Sequence, residues 1–175
     1  MKILKTPIKG LLVFKSKKFD DSRGYFREVL LEKIVNKKFK FNVVSMSKKN
    51  VIRGLHFQKV RPQAKFISVI KGKIVDVAVD IRKNSPTYGK WVSEILSEDN
   101  HNLLYVPEGF AHGFCVLSKE ADVYYKVSNE YSPKDEGGII WNDPSLNIEW
   151  PISKPIVSSS DSQLPLFDNL DDYFV

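Results

Sequence analysis

The chain carries three histidines, His56, His101 and His112, and a single cysteine, Cys115. Imidazole titrates close to neutrality, so a histidine in a cleft can serve as an acid, a base or a metal ligand. His56 stands in Val51-Ile52-Arg53-Gly54-Leu55-His56-Phe57-Gln58, with Arg53 shortly before it and Lys65 shortly after it. Cations converging on an imidazole suit recognition of phosphate or stabilisation of a developing oxyanion. In a regular strand the spacing of Arg53 and His56 puts them on opposite faces, and only a bulge at Gly54 would bring them to one. His112 stands in Pro107-Glu108-Gly109-Phe110-Ala111-His112-Gly113-Phe114. A lone cysteine forms no internal disulfide and supplies too few thiolates for a zinc finger.

The elements that must position these groups read as short strands. Phe66 to Ile70 and Ile74 to Arg82, joined through Lys71-Gly72-Lys73, read as a hairpin. In its second arm Val75, Val77, Val79 and Ile81 share one face, which the period of two assigns to a core, while Ile74, Asp76, Ala78, Asp80 and Arg82 share the other. Further strands are expected at Trp91 to Leu96, Asn102 to Val106, Gly113 to Leu117 and Ala121 to Val127, with turns at Asn84-Ser85-Pro86, Pro107-Glu108-Gly109 and Ser132-Pro133-Lys134-Asp135. This rhythm predicts an all-β sandwich or barrel with jelly-roll connections and few short helices. One helix is expected, from Glu28 to Lys38, with Val29, Leu30, Ile34 and Val35 as its apolar stripe. Tyr124 and Tyr125 must face opposite ways on their strand. Trp141 and Trp150 read as packing residues, and the acidic, aromatic stretch from Asp168 to Val175 as a tail or a short docked segment.

A length of 175 residues with 42% hydrophobic and 27% charged residues fits a single domain, residues 1–175, with its own core. No apolar run reaches membrane-spanning length and the N-terminus lacks a signal-peptide core, so a cytoplasmic protein is expected. The net charge of +6 is unevenly spread: residues 1–90 carry +17 and residues 91–175 carry −11. No long block of like charge accompanies this asymmetry, and a compact β-fold interleaves the halves, which disfavours nucleic acid as a partner and leaves anionic small molecules open.

The Pro-x-Gly-x-x-His core around His112 resembles the later of the two cupin motifs, and the segment after Gly54 resembles the earlier one. Metal-binding cupins place a second histidine where this chain has Gln58, and no acidic residue lies between Gln58 and Asp76. Two imidazoles are too few for a stable mononuclear site, so no metal is expected.

Five segments in order, Phe19 to Glu28, Ser45 to Gln58, Asp76 to Arg82, Val106 to Phe114 and Gly138 to Pro144, together resemble the dTDP-4-dehydrorhamnose 3,5-epimerase family over nearly the whole chain. The resemblance implies a cupin-type jelly-roll barrel and a cofactor-independent reaction on a nucleotide sugar. A proton leaves a carbon next to a 4-keto group, and one returns to the opposite face. Such chemistry needs a base, a stabiliser of the enolate oxygen and an acid beyond the ring. By resemblance His56 is the base, Asp161 its partner, Tyr125 the opposite-face acid and Lys65 the group facing the oxyanion. The same resemblance assigns substrate binding to Arg23, Phe26, Glu28, Arg53, His112, Tyr131 and Glu136. Read from the residues alone, Arg23-Gly24 is also a turn signal and Glu28 a carboxylate suited to a helix start. The chain departs from the family pattern at Phe41-Asn42-Val43, where Gln-x-Asn is usual, at Ser160, where a lysine or arginine is common, and in a shorter connection from His56 to Lys65.

The leading expectation is therefore inversion at C3 and C5 of dTDP-4-dehydro-6-deoxy-D-glucose, in a homodimer whose N-terminal strands complete the partner's sheet. Alternatives are epimerisation at one position only, a silent jelly-roll module that binds sugar nucleotides, and a metal-dependent oxygenase, which Gln58 disfavours.

Overall fold

The structure is a computed structural model and describes residues 1–29 and 32–174. Among the described residues the strands are β1 (Lys2–Lys5), β2 (Leu12–Lys15), β3 (Lys18–Asp21), β4 (Gly24–Arg27), β5 (Phe41–Lys48), β6 (Ile52–Gln58), β7 (Lys65–Lys71), β8 (Lys73–Asp80), β9 (Trp91–Ser97), β10 (Asn102–Val106), β11 (Phe110–Val116), β12 (Glu120–Val127) and β13 (Glu136–Gly138). Two antiparallel sheets face each other as a jelly-roll barrel: a six-stranded sheet ordered β1-β2-β10-β7-β12-β5 and a five-stranded sheet ordered β13-β6-β11-β8-β9. The ribbon β3-β4 stands apart as its own sheet.

The expected hairpin from Phe66 to Arg82 is not one. β7 pairs with β10 and β12, whereas β8 pairs with β11 and β9, so the connection at Gly72 is a corner between sheets. Gly72 has φ +83°, and a Cβ there would collide with the Glu120 carbonyl oxygen. Such a backbone turns the chain through a space that only glycine fits.

The face expected to be core on β8 is core, yet the opposite face is buried too. Ile74 and Ala78 join Val13, Ile67, Val69, Leu104, Phe110, Phe114, Val116 and Val123 between the sheets. Val75, Val77, Val79 and Ile81 lie on the outer face of the five-stranded sheet with Leu55 and Phe57. They are covered by Ile139, Leu146, Ile148, Trp150, Phe167, Leu170, Tyr173 and Phe174. The C-terminal stretch is therefore docked, with Tyr173 and Phe174 against the Phe57 ring at centroid distances of 5.7 and 5.8 Å. Lys83 N–H donates to the Phe174 carbonyl. Val175 lies outside the described residues.

The helix is much shorter than its pattern. α1 spans Glu32–Val35, and Leu30 of the expected stripe lies outside the described residues. Val29, Ile34 and Val35 still pack as expected, against Phe14, Phe66, Leu103 and Tyr105 on the outside of the six-stranded sheet. Four helical residues are too few to stand alone, and this apolar contact holds the turn in place.

Candidate active site

β6 is bulged. His56 pairs with His112 and Arg53 with Phe114, so β6 spends one more residue than β11 between those pairs. Gly54 supplies the bend, with φ +112°, and a Cβ on it would stand 2.6 Å from the His112 carbonyl oxygen. The extra residue returns Arg53 and His56 to one face, and both line a cavity of about 620 Å³ with Glu136, Ser158, Ser160 and Asp161. Leu55, between them, points to the outer core.

Asp161 begins a turn of 3₁₀ helix at Asp161–Gln163 and is 6% exposed. Its Oδ1 is 2.8 Å from His56 Nε2, and its Oδ2 accepts the Gly54 N–H at 3.0 Å. Burial pushes this carboxyl up, but the hydrogen bonds from His56 and Gly54, the charge of His56 and the Ser158 hydroxyl outweigh it and hold the group below the usual range. An ionised carboxylate only accepts, so Nε2 carries a proton, and in the neutral ring Nδ1 keeps its lone pair.

A second imidazole–carboxylate pair lies beside the first. His112 Nε2 is 2.8 Å from Asp76 Oδ1, and both residues are buried, at 4% and 0% exposure. Asp76 belongs to the inward face of β8 and was not singled out as a site residue from the sequence. The available signal was an aspartate in the middle of the run Ile74-Val75-Asp76-Val77-Ala78-Val79. An unpaired carboxylate in such a place would be costly, so it implies a buried partner.

The six-stranded sheet supplies the other wall. Tyr125 faces inward on β12 and Tyr124 outward, where its hydroxyl donates to Asn42. The Tyr125 hydroxyl is 3.3 Å from Ser45 Oγ, and its ring meets His112 edge-on at 6.4 Å. Burial, reinforced by the negative charge of Asp76, drives the Tyr125 phenol far above its ordinary range, against the pull of Ser45 and Arg53. Lys65 opens β7, and burial lowers its ammonium from 10.5 to about 8 despite the attraction of Asp76 and Glu136. Both line a cleft of about 330 Å³ with Phe41, Val43, Gln63, Val127 and Tyr131. The walls are joined where Arg53 Nε donates to Ser47 Oγ at 2.8 Å and its Nη2 to the Met46 carbonyl, and where the Tyr131 hydroxyl donates to Glu136 Oε2 at 2.8 Å.

Eight of the eleven expected site residues thus converge: His56, Asp161, Tyr125, Lys65, Arg53, His112, Tyr131 and Glu136. Arg23, Phe26 and Glu28 do not line either cavity. Arg23 pairs with Asp21 at the tip of β3-β4, Phe26 is 67% exposed against Phe19, and the Glu28 carbonyl accepts from the Ser16 hydroxyl. Among the described residues no three His, Cys, Asp or Glu side chains converge as a metal site would need. A further cavity of about 510 Å³ borders Arg82, Gly109, Tyr173 and Phe174, but the Arg82 guanidinium is already bonded to buried Asp80.

The family model for dTDP-4-dehydrorhamnose 3,5-epimerase matches residues 5–169. The dTDP-4-dehydrorhamnose 3,5-epimerase of Shigella flexneri is 47% identical over 182 residues, covering 100% of both chains. Among solved structures, a dTDP-6-deoxy-D-glucose-3,5-epimerase from Legionella pneumophila in complex with dTDP-4-keto-L-rhamnose superposes with a TM-score of 0.94 at 40% identity, covering 97% of this chain and 94% of that one. The Bacillus anthracis dTDP-4-dehydrorhamnose 3,5-epimerase, with TDP and PPi bound, gives 0.91 at 43% identity, covering 95% and 99%. The family match spans residues 5–169, and the chain belongs to the dTDP-4-dehydrorhamnose 3,5-epimerase family.

Proposed function

We propose that this chain is a cofactor-independent epimerase that inverts C3 and C5 of dTDP-4-dehydro-6-deoxy-D-glucose to give dTDP-4-dehydro-L-rhamnose. The observation that carries this reading is the placement of a carboxylate-backed imidazole, His56 with Asp161, on one sheet and a protonated phenol, Tyr125, on the sheet facing it.

The 4-keto group acidifies the C–H bonds on either side of it. His56 Nδ1 takes one such proton, and Asp161 stabilises the imidazolium that forms. The electron pair moves onto the keto oxygen, where the Lys65 ammonium meets the negative charge. Tyr125 then gives its hydroxyl proton to the same carbon from the other face, and exchange with solvent restores imidazole and phenol. The same sequence at the second carbon completes the reaction. General acid–base assistance is worth roughly 10²–10⁴-fold, and one oxyanion donor roughly 10²–10³-fold. Arg53 and His112 bind the sugar nucleotide, as do Tyr131 and Glu136 at the join between the two cavities.

The exposed ribbon β3-β4 fits a homodimer in which the N-terminal strands of one protomer complete its partner's sheet and carry Arg23 and Phe26, with Glu28, to the partner's cavity. An arginine and a phenylalanine with no use in their own chain's cleft support that assembly. We read the chain as one domain working in the cytoplasm; among the described residues no helix is long and apolar enough to cross a membrane.

Incubation with dTDP-4-dehydro-6-deoxy-D-glucose in D₂O, followed by NMR, tests the reaction. Deuterium at both C3 and C5 with an inverted product is expected. Deuterium at one position alone replaces the double inversion with a single one, and none at either, with ligand bound, ends the epimerase reading.

A further inference from the structure

Gln58 lies two residues beyond His56 on β6 and is 3% exposed. Its Oε1 accepts the Ser132 N–H at 3.2 Å, an assignment that fixes the amide's orientation, since the flipped group would set two donors together. Its Nε2 is buried and has no partner among the described residues, so the side chain is not held there by a full set of hydrogen bonds of its own. The loop it touches carries Tyr131, which lines the 330 Å³ cleft, and leads into Glu136, which lines the 620 Å³ cavity. Glu136 is also the cross-strand partner of Gln58, and the Tyr131 hydroxyl rests on the Glu136 carboxylate.

The neighbouring loop from Lys59 to Ala64 is bonded to the same segment from outside. Lys59 N–H donates to the Asp135 carbonyl, Gln63 Nε2 to the Asn129 carbonyl and Asn129 Nδ2 to the Pro62 carbonyl. These contacts fix the ends of the stretch from Asn129 to Asp135, the Asp135 N–H closes a turn on the Ser132 carbonyl, and the Gln58 amide accepts the Ser132 N–H beside Tyr131.

We propose that Gln58 is a positioning residue: by holding Ser132 it sets Tyr131 against Glu136, and so shapes the part of the site that binds the nucleotide sugar, without taking part in proton transfer. The proposal rests on the epimerase reading above and deepens it. It places Gln58 in ground-state binding, where loss of a contact raises KM and leaves kcat in place.

Gln58→Leu removes the acceptor, and Gln58→Glu keeps an oxygen for Ser132. With the nucleotide sugar as substrate, Gln58→Leu is expected to raise KM about tenfold with kcat within about threefold of the parent, and Gln58→Glu to restore KM to within about threefold. Equal KM for Gln58→Leu and parent overturns the proposal, as does a Gln58→Leu variant that loses kcat with KM unchanged. Should Gln58→Leu fail to fold, hydrogen exchange of the Ser132 amide in the parent and in Gln58→Glu decides the matter. Protection in both is expected, and exchange at the rate of an open loop in the parent overturns it. That measurement needs no substrate, and parent protein without epimerase activity would instead count against the reaction itself.

Discussion

His56 and His112 are direct cross-strand partners on β6 and β11, and each directs Nε2 at its own carboxylate, Asp161 and Asp76 respectively. The two pairs differ in access. His56 lines the open cavity with part of its ring exposed, while His112 and Asp76 are buried between the sheets and meet the Tyr125 ring. An imidazole that exchanges protons with a substrate must be reachable, which supports the proposed role of His56 as the base over the buried His112.

Removing the base is the simplest check. His56→Ala is expected to lower deuterium uptake at C3 and C5 by at least about 10²-fold, the lower end of general-base assistance, with nucleotide-sugar affinity within about tenfold of the parent. Asp161→Asn keeps the shape but withdraws the charge that stabilises the imidazolium, and should fall in the same direction. Uptake at the parental rate in His56→Ala would assign the base elsewhere.

Tyr125 is expected to separate exchange from inversion. Tyr125→Phe leaves the base intact, so His56 can still remove a proton and return a deuteron to the face it came from. Deuterium should therefore enter the recovered substrate while inverted product falls by about 10²-fold or more. Product and exchange declining in parallel would mean that Tyr125 does not supply the second face.

Much of this site was legible in the chain itself, and the failures have physical causes. Asp76 was passed over because it alternates with Ala78 and Asp80, a pattern that reads as the wetter face of a half-buried strand. It is buried because its face of β8 is turned to the six-stranded sheet, while the segments around Leu146, Phe167 and Phe174 cover the valine face from outside, long-range contacts that periodicity does not encode. The turn at Gly72 has the residues of a hairpin, and only the pairing partners of β7 and β8 show it to be a corner. The bulge at Gly54 was visible as a condition, since Arg53 and His56 could share a face in no other way. Arg23 and Phe26 line neither site cavity of their own chain, since sequence resemblance assigns a residue a role without giving it a position in space.

Lys65 links pH to both rate and stability. Its folded value of about 8, against an ordinary 10.5, means that the ammonium proposed to meet the enolate oxygen is lost as pH rises through 8. Activity should decline on that limb. The effect on folding has the opposite sense: between about 8 and 10.5 the unfolded chain binds more protons than the folded one, so this group's contribution to stability rises with pH there. Lys65→Met is expected to melt higher than the parent at pH 7, with the gap closing toward pH 10.5, while kcat falls by about 10²–10³-fold. A variant that melts lower and keeps its activity would refute both halves.

Gly54 is where fold and chemistry meet most narrowly. Its φ of +112° lies where a side chain is strained, and an added Cβ would stand 2.6 Å from the His112 carbonyl oxygen and 2.7 Å from Gly113 Cα. Both neighbours are backbone of β11, which is itself held by β8 along its whole length, so neither can yield cheaply. Gly54→Ala must therefore either flatten the bulge or push β6 away from β11. Flattening would turn Arg53 and His56 to opposite faces, and separation would draw His56 from its place beside His112 and strain the Gly54 N–H bond that aligns Asp161. A strained backbone position costs on the order of 1–3 kcal/mol before any clash is counted, so the variant should lose at least about 2 kcal/mol in urea unfolding. Its remaining folded fraction should show kcat reduced by about 10²-fold even where ligand saturates, because the base is misplaced rather than missing. Parental stability and turnover in Gly54→Ala would show that the bulge is not what brings Arg53 and His56 together.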